Sequence, residues 1–358
     1  MNEFMARAIE LAKRGEGFVN PNPLVGAVIV RDGRIIAEGW HERYGEPHAE
    51  RNALKNCKED PRGADMYVTL EPCCHYGKNP PCTEAVIAAG IKRVFVGSFD
   101  PNPLVAGKGI AQLRAAGTEV TENVMRKECD AINDIFFHFI TTNTPYVILK
   151  TAVTADGRTA THTGSSMWIT NEQSRADVHR TRRRVAAIMT GIGTVLADDP
   201  MLNCRCENPS HPVRIICDTQ LRLPLDSKVV RTAREIPTCA ATASQDGKRI
   251  RELESLGVKI IRVPGSEDGI DLKALMARLG EMKLDSVLIE GGAGLNAGAM
   301  KAGIVNRLQV YTAPKLVGGD GRSVFAPLGI DTIDETIMLE RPRIKRFGDD
   351  ILIEYEVK

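Results

Sequence analysis

The sequence has no uninterrupted apolar stretch long enough to span a bilayer, so it does not read as a membrane protein. It has almost no net charge. The 47 basic and 46 acidic side chains leave +1 at pH 7, which argues against a dedicated nucleic-acid binder. Aromatic residues make up only 5 % of the chain, and no cluster of them offers bases a stacking platform. The opening segment MNEFMARAIELAKRGEG lacks the apolar core of a signal peptide. It reads instead as an amphipathic helix with Phe4, Ala8, Leu11 and Ala12 on one face. There is no internal repeat, low-complexity tract or flexible linker. The 9 cysteines are odd in number and scattered, which does not suit a disulfide framework. The expectation is a cytoplasmic protein with free thiols and one metal site.

One constellation is rich in chemistry. His48-Ala49-Glu50 is followed by Pro72-Cys73 and then Cys82. An imidazole and two thiols leave the fourth position of a tetrahedral zinc open for water. Glu50, two residues beyond the histidine, is placed to move protons on and off that water. This is the donor set with which zinc enzymes deaminate nucleobases. The common spacing there is Cys-x-x-Cys, whereas 8 residues, Cys74 to Pro81, separate Cys73 from Cys82. That longer loop carries His75 and Lys78 and can line a pocket for an anionic substrate. Other readings stay open at this point. One is a structural zinc with Cys74, His75 or His41 as fourth ligand. A second is a deaminase acting on RNA, and a third is a zinc-stabilised scaffold without catalysis.

With 358 residues, two domains are expected, 1–145 and 146–358, divided at Asn143-Thr144-Pro145. Both halves alternate helix and strand. In the first, strands are predicted at 24–30, 35–40, 66–70 and 93–97, with helices at 3–14, 47–57, 83–89, 107–116 and a long one over 125–141. The candidate ligands then fall at helix starts beyond strand ends, where α/β proteins hold ligands. In the second half, strands are predicted at 146–153, 186–189, 213–217, 238–241, 259–263, 286–289, 308–312 and 350–357. Helices are expected at 171–183, 246–256, 271–279 and 294–302.

The second half has weaker motifs. Glu290-Gly291-Gly292-Ala293-Gly294-Leu295-Asn296-Ala297-Gly298 follows the strand SVLI and opens a helix. Its glycines suit either a phosphate held by backbone amides or a tight turn with close packing. Gly191-Ile192-Gly193-Thr194 through Asp198-Asp199-Pro200 reads as a loop at another strand end, whose Thr194 hydroxyl and Asp198 carboxylate can bond a ligand, but a helix cap with a turn explains it better. Arg180, Arg182, Arg183 and Arg184 form a basic helix end; a solvated face whose cations suit the helix C-terminus accounts for Arg180, Arg183 and Arg184, while one arginine can bind a phosphate bidentately. Cys204-Arg205-Cys206 is poor evidence for a second metal.

Taken together, these residues resemble the bifunctional riboflavin-biosynthesis deaminase/reductase family over nearly the whole chain. The resemblance rests on Asn20-Pro21-Asn22-Pro23-Leu24-Val25-Gly26, on HERYGEPHAE (41–50), LEPCCHYGKNPPCT (70–83) and DPNPLVAG (100–107). It continues in KTAVTADG (150–157), Ser166-Met167-Trp168-Ile169-Thr170, the stretch from Gly193 to Arg205, and Glu290-Gly291-Gly292. It implies a cytidine-deaminase-like α/β/α domain followed by a dihydrofolate-reductase-like α/β domain. It implies one zinc on His48, Cys73 and Cys82, with Glu50 as proton shuttle. It implies NADPH contacts at Ala152, Trp168, Thr194, Asp198 and from Gly292 through Gly294 to Gly298. Substrate contacts are implied at Ser166, Arg182, Leu202, Arg205 and Glu290, with Arg182 and Arg205 clamping the 5′-phosphate. The substrates would be small phosphoribosylaminopyrimidines, with no nucleic acid or membrane partner. A homodimer or tetramer is usual in the family. Two departures, Thr154-Ala155 for Ser-Leu and Asn79 for Thr, keep small or polar residues.

Overall fold

The computed structural model describes residues 2–267 and 269–358. The chain divides into two compact units, the first ending at Asn143 and the second beginning at Thr144.

The first unit opens with α1 (Asn2–Ala12) and the hairpin β1 (Gly26–Arg31) and β2 (Arg34–Trp40). Asp32 and Gly33, both with positive φ (50° and 74°), make the two-residue turn that matches strand twist. Then follow α2 (Ala49–Asn56), β3 (Asp65–Leu70), α3 (Cys82–Ala88), β4 (Arg93–Ser98), α4 (Lys108–Ala115), β5 (Glu119–Thr121), α5 (Arg126–Ile132) and α6 (Asp134–Thr142). The sheet order is β2-β1-β3-β4-β5, antiparallel around β1 and parallel from β3 to β5. β1 is apolar on both sides because both faces are covered. Ala27 and Ile29 pack with Ala49, Ala53, Val86 and Leu113 on one face. Val28 and Val30 pack with Met5, Ala8, Leu11 and Cys129 on the other. Each buried Val, Ile, Leu or Met among them contributes about 1.5–3 kcal/mol of burial.

The single helix predicted over 125–141 is two helices, broken at Asn133. Asn133 leaves helical geometry (φ −117°) and is buried. Its amide instead receives the Leu24 N–H (2.8 Å) and donates to the Leu24 carbonyl (2.9 Å). An amide that satisfies both backbone groups of a buried chain outweighs one helical hydrogen bond.

The second unit has nine strands in one sheet, ordered β11-β10-β9-β8-β14-β6-β15-β18-β17. In chain order its elements begin β6 (Tyr146–Thr154), β7 (Arg158–Ala160), α7 (Glu172–Arg184), β8 (Ala187–Gly191), α8 (Ile192–Asp198), β9 (Val213–Cys217) and α9 (Lys228–Arg231). They continue with β10 (Thr238–Thr242), α10 (Gly247–Ser255), β11 (Lys259–Arg262), β12 (Gly265–Ser266), β13 (Gly269–Ile270) and α11 (Leu272–Glu281). The last are β14 (Ser286–Ile289), α12 (Ala293–Lys301), β15 (Arg307–Ala313), β16 (Arg322–Ser323), β17 (Leu339–Phe347) and β18 (Asp350–Val357). The sheet is parallel from β11 to β15, and β18 and β17 close it antiparallel. α11 and α12 cover one face, while α8, α9 and α10 cover the other.

The short elements β7, α9, β12, β13 and β16 were not expected, and two further departures matter more. The segment after Gly191 is a short helix, α8, and not a loop. β17 was not expected, since Pro342 and a run of cations argue against a strand. It survives because it is an edge, with its register broken between Glu340 and Arg343 around Arg341 at φ 51°. Among the described residues no helix is long and apolar enough to cross a membrane.

Candidate functional site

In the first unit the ends of β3, α2 and α3 converge. His48 is the residue before α2, and Cys82 is the first residue of α3. Two devices hold them in place. Gly39 lets α2 lie directly on β2: a Cβ there would sit 2.2 Å from the Ala53 nitrogen. Arg51 reaches from α2 to the Pro81 carbonyl at 2.9 Å, fixing the end of the long loop beside α3. Cys73 is fixed through Glu71. That buried carboxylate accepts from the amides of Gly107, Gly109 and Ile110 at 3.0–3.2 Å, so the start of α4 pins the Glu-Pro-Cys turn. Gly109 is obligatory there, because a Cβ would meet the Pro72 carbonyl at 2.1 Å.

The donor atoms of His48, Cys73 and Cys82 lie within 4.8 Å of one another. Nδ1 of His48 is 3.4 Å from Cys73 Sγ and 3.5 Å from Cys82 Sγ. Tetrahedral zinc with Zn–N about 2.05 Å and Zn–S about 2.3 Å puts nitrogen and sulfur about 3.6 Å apart. The donor set and its spacing therefore fit zinc. The hydrogen bond from Cys82, and then His48, push the Cys73 thiol well down toward thiolate, the form that binds metal. Cys82, which shares that proton, is pushed up.

No fourth ligand joins them among the described residues. Cys74 points its sulfur at the Leu104 carbonyl, 3.8 Å away. His41 is buried, with Nδ1 3.2 Å from the Pro47 carbonyl and Nε2 3.1 Å from the Asn22 amide nitrogen. A carbonyl only accepts, so Nδ1 carries the proton and Nε2 accepts from Asn22. Burial pushes His41 down to about 4, so this ring is neutral. Glu50 is buried without being a ligand, and burial, then the Cys73 charge, pushes it up to about 6. That is the range in which a carboxyl both takes and gives protons near neutral pH. In the long loop, Lys78 Nζ sits 3.9 Å over the Tyr44 ring, and the Asn79 amide donates to the Glu46 carbonyl. Sequence reasoning did not single out Asp100, which lies beyond β4. Burial is the main cause that pushes its carboxyl up to about 7.

In the second unit a buried ion cluster stands out. Arg182 near the end of α7 meets Glu290 beyond β14 through Nε–Oε1 (2.6 Å) and Nη2–Oε2 (3.1 Å). Lys150 of β6 meets the same carboxylate at 3.3 Å. Arg182 Nη1 donates to the Asn203 carbonyl at 2.9 Å. Burial opposes ionisation of Glu290, but the two cations win and hold it far below the usual carboxylate range. Lys150 was quoted only within a motif; nothing in the spacing announced its pairing.

The other expected residues are distributed unevenly. Thr194 of α8 comes close to Gly292: a Cβ on Gly292 would lie 3.5 Å from Thr194 Oγ1. Asp198 is exposed at the end of that helix. Gly294, at the first turn of α12, faces open space, whereas Gly298 is farther along and turned toward Leu272 of α11. Asn296 in the same helix has a buried Oδ1 without a partner. Ala152 packs near Val178, Tyr311 and Leu352. Ser166 and the exposed Trp168 line a cleft of about 390 Å³ with Thr154, Lys315 and Val317. Asp156 bonds the amides of Val317 and Gly318, and Lys315 Nζ bonds the Trp168 carbonyl at 2.7 Å, so this cleft wall is tied together. Leu202, at φ 49°, buries its side chain among Ile188, Ile216 and Val229, so a ligand contact from this position belongs to its backbone. Arg205 is exposed, with its N and Nε 3.2 and 3.3 Å from the His179 ring.

Residues 1–98 match the cytidine and deoxycytidylate deaminase zinc-binding region, and residues 145–353 match the RibD C-terminal domain. Fold and site thus define a cytidine-deaminase-like zinc-binding domain followed by a RibD-type reductase domain. The riboflavin biosynthesis protein RibD of Actinobacillus pleuropneumoniae is 53 % identical over 356 residues, covering 99 % of this chain and 95 % of the relative. The chain belongs to the RibD family of riboflavin-biosynthesis proteins. RibD of Acinetobacter baumannii is similar in structure, at 38 % identity and a TM-score of 0.89, covering 100 % of this chain and 98 % of that one. A diaminohydroxyphosphoribosylaminopyrimidine deaminase/5-amino-6-(5-phosphoribosylamino)uracil reductase from Thermotoga maritima gives 36 % and 0.89 over the same shares.

Proposed function

We propose that this chain carries out two consecutive steps of riboflavin biosynthesis. The first unit hydrolytically deaminates 2,5-diamino-6-(5-phosphoribosylamino)pyrimidin-4(3H)-one. The second reduces the ribosyl chain of 5-amino-6-(5-phosphoribosylamino)uracil to ribityl with NADPH. The observation that carries the reading is the three-donor cluster with a buried, uncoordinated Glu50 beside it.

His48, Cys73 and Cys82 would hold the zinc. When bound, zinc supplies a water of lowered pKa, about 7. Glu50, buried beside the three donors, would take a proton from the water that attacks the amine-bearing pyrimidine carbon. The same carboxyl would hand that proton to the ring nitrogen, then collect the remaining proton of the added hydroxyl and pass it to the departing ammonia. His41, neutral and held by Asn22 and Pro47, forms a fixed wall beside His48 and adds no competing charge.

In the second unit Thr194, Asp198, Trp168, Ala152 and the amides from Gly292 to Gly294 would receive NADPH; Gly298 is assigned to the same segment. The open space at Gly294 supports that fit. NADPH supplies the hydride when bound. Ser166, the Leu202 backbone, Arg182, Arg205 and Glu290 would orient the substrate so that the sugar C1 faces it. Arg182 still has one N–H free on each terminal nitrogen for phosphate after bonding Glu290 and Asn203. The chain would act as a homodimer or tetramer in the cytoplasm. The test is zinc analysis of the purified chain, then incubation with the pyrimidine substrate while ammonia and NADPH are followed separately. One zinc, ammonia release and subsequent NADPH consumption are expected. Zinc without ammonia release would leave a scaffold and overturn the reading.

A further inference from the structure

One cluster in the second unit has no part in either reaction. Cys204 and Cys206 flank Arg205 on the irregular segment between α8 and β9, with their sulfurs 3.1 Å apart. Cys204 is buried and donates to the His179 carbonyl at 3.3 Å, while Cys206 is partly exposed. No third metal-binding side chain completes a site with them among the described residues. A structural metal site needs more ligands than this pair offers. Two thiols that face one another do have a covalent chemistry of their own.

We propose that Cys204 and Cys206 form a reversible dithiol–disulfide pair, closed by low-molecular-weight disulfides, and that closure weakens binding of the phosphoribosyl substrate in the second unit. This rests on the reading that Arg182, Leu202 and Arg205 hold that substrate. Cys206, the more exposed, attacks one sulfur of the small disulfide as its thiolate, giving a mixed disulfide and one small thiolate. The Cys204 thiolate then attacks the Cys206 sulfur and expels the second small thiolate. The protein has lost two electrons and two protons; the small disulfide has gained both and become two thiols.

A disulfide is about 2.05 Å long, so the sulfurs must approach by about 1 Å. The ring spans a single residue, Arg205, and its backbone must follow. Arg205 N and Nε lie at 3.2 and 3.3 Å from the His179 ring. A neutral imidazole accepts through one nitrogen only, so one of these contacts is the hydrogen bond that anchors Arg205. Ring closure also ends the donation from Cys204 to His179 and pulls on Asn203, whose carbonyl holds Arg182. Burial pushes the Cys204 thiol up, so the opening attack falls to Cys206, and Cys204 gives its proton to water before it closes the ring. So small a ring is tight, and tight disulfides are readily reduced. The pair therefore stays open in a reducing medium and closes when disulfide accumulates.

The test uses the full-length zinc-loaded protein, reduced and then treated with oxidised glutathione. Trypsin cuts after Arg205, between the two cysteines, so closure leaves peptides 185–205 and 206–214 joined until reduced. The expected result is that joined pair, with the Michaelis constant for the deaminated substrate raised at least about tenfold, the low end for one lost hydrogen bond to a charged group. Dithiothreitol should restore both. Cys206→Ser should give neither the joined pair nor the inhibition. Peptides that stay separate, or a joined pair with an unchanged Michaelis constant, would overturn the proposal, as would equal inhibition of Cys206→Ser. A reduced enzyme that never oxidises NADPH would sink the reductase reading, and the inhibition with it. That failure is distinguishable, because peptide linkage is scored without any activity.

Discussion

Truncating Glu290 to alanine should destabilise the second unit strongly. The carboxylate is the only anion shared by Arg182 and Lys150 in the ion pairs described, at 2.6, 3.1 and 3.3 Å. The three side chains are only 12–16 % exposed, so water compensates poorly. Breaking such a buried pair on one side costs about 3–5 kcal/mol, mainly because it strands the partner charges. For a unit of this size that corresponds to a fall in midpoint of about 6–20 °C. The assay is hydrogen exchange of amides in β6 and β14 of the full-length chain, which reads this unit apart from the first. The sign with pH is definite. The folded pKa of Glu290 lies far below its unfolded value near 4.5. Its contribution is therefore complete above that value and lost only as pH falls toward the folded pKa. The deficit of Glu290→Ala should be constant between pH 8 and 6. Glu290→Gln, which keeps an acceptor for Arg182, should lose less. If Glu290→Ala and Arg182→Ala each lose under about 1 kcal/mol and their effects add, the cluster is a solvated surface group. The reasoning would then be refuted.

Cys74→Ser should keep full zinc by elemental analysis while Cys73→Ser loses it, since only Cys73 belongs to the donor cluster. The reverse pattern would mean the ligand register is wrong. Glu50→Gln should keep zinc yet release ammonia at least about 10²-fold more slowly, the low end for loss of a general acid–base group; normal ammonia release would remove Glu50 from the mechanism. The Asp156 carboxyl is held down to about 2, first by the Thr154 hydroxyl and then by the amides of Gly318 and Val317. What it adds to holding the Thr154–Val317 cleft wall is complete above about 3.9 and fades as pH falls through about 2. Exchange protection of the Val317 and Gly318 amides should thus persist at pH 4 and drop in Asp156→Ala at neutral pH. Arg182→Ala should raise the reductase Michaelis constant without weakening NADPH binding measured alone by calorimetry. Equal weakening of both would move Arg182 to the cofactor.

Much of the first unit was legible because its chemistry is local. His48, Glu50, Cys73 and Cys82 declare themselves by type and spacing, and the strands around them are unbroken apolar runs such as 26–30. The break at Asn133 was hidden because it answers to Leu24, far away in sequence. His41 and Asn22 were visible only as motif letters; their mutual hydrogen bond is a tertiary fact. In the second unit α8 was taken for a loop at a strand end, although buried Ile192 and Val195 anchor the helix. The Lys150–Glu290–Arg182 cluster draws on three separate elements, and no window of sequence contains it. β17 was lost for the opposite reason: an edge strand needs no apolar pattern and is served by Pro and cations.

The central claim is that the chain holds two chemically independent sites, and His48→Ala in the full-length protein tests it most directly. Ammonia release from the diaminopyrimidine and NADPH oxidation with deaminated substrate are measured on the same preparation. The expected result is no ammonia with NADPH oxidation unchanged. Loss of both, with hydrogen exchange showing the second unit still folded, would contradict the account.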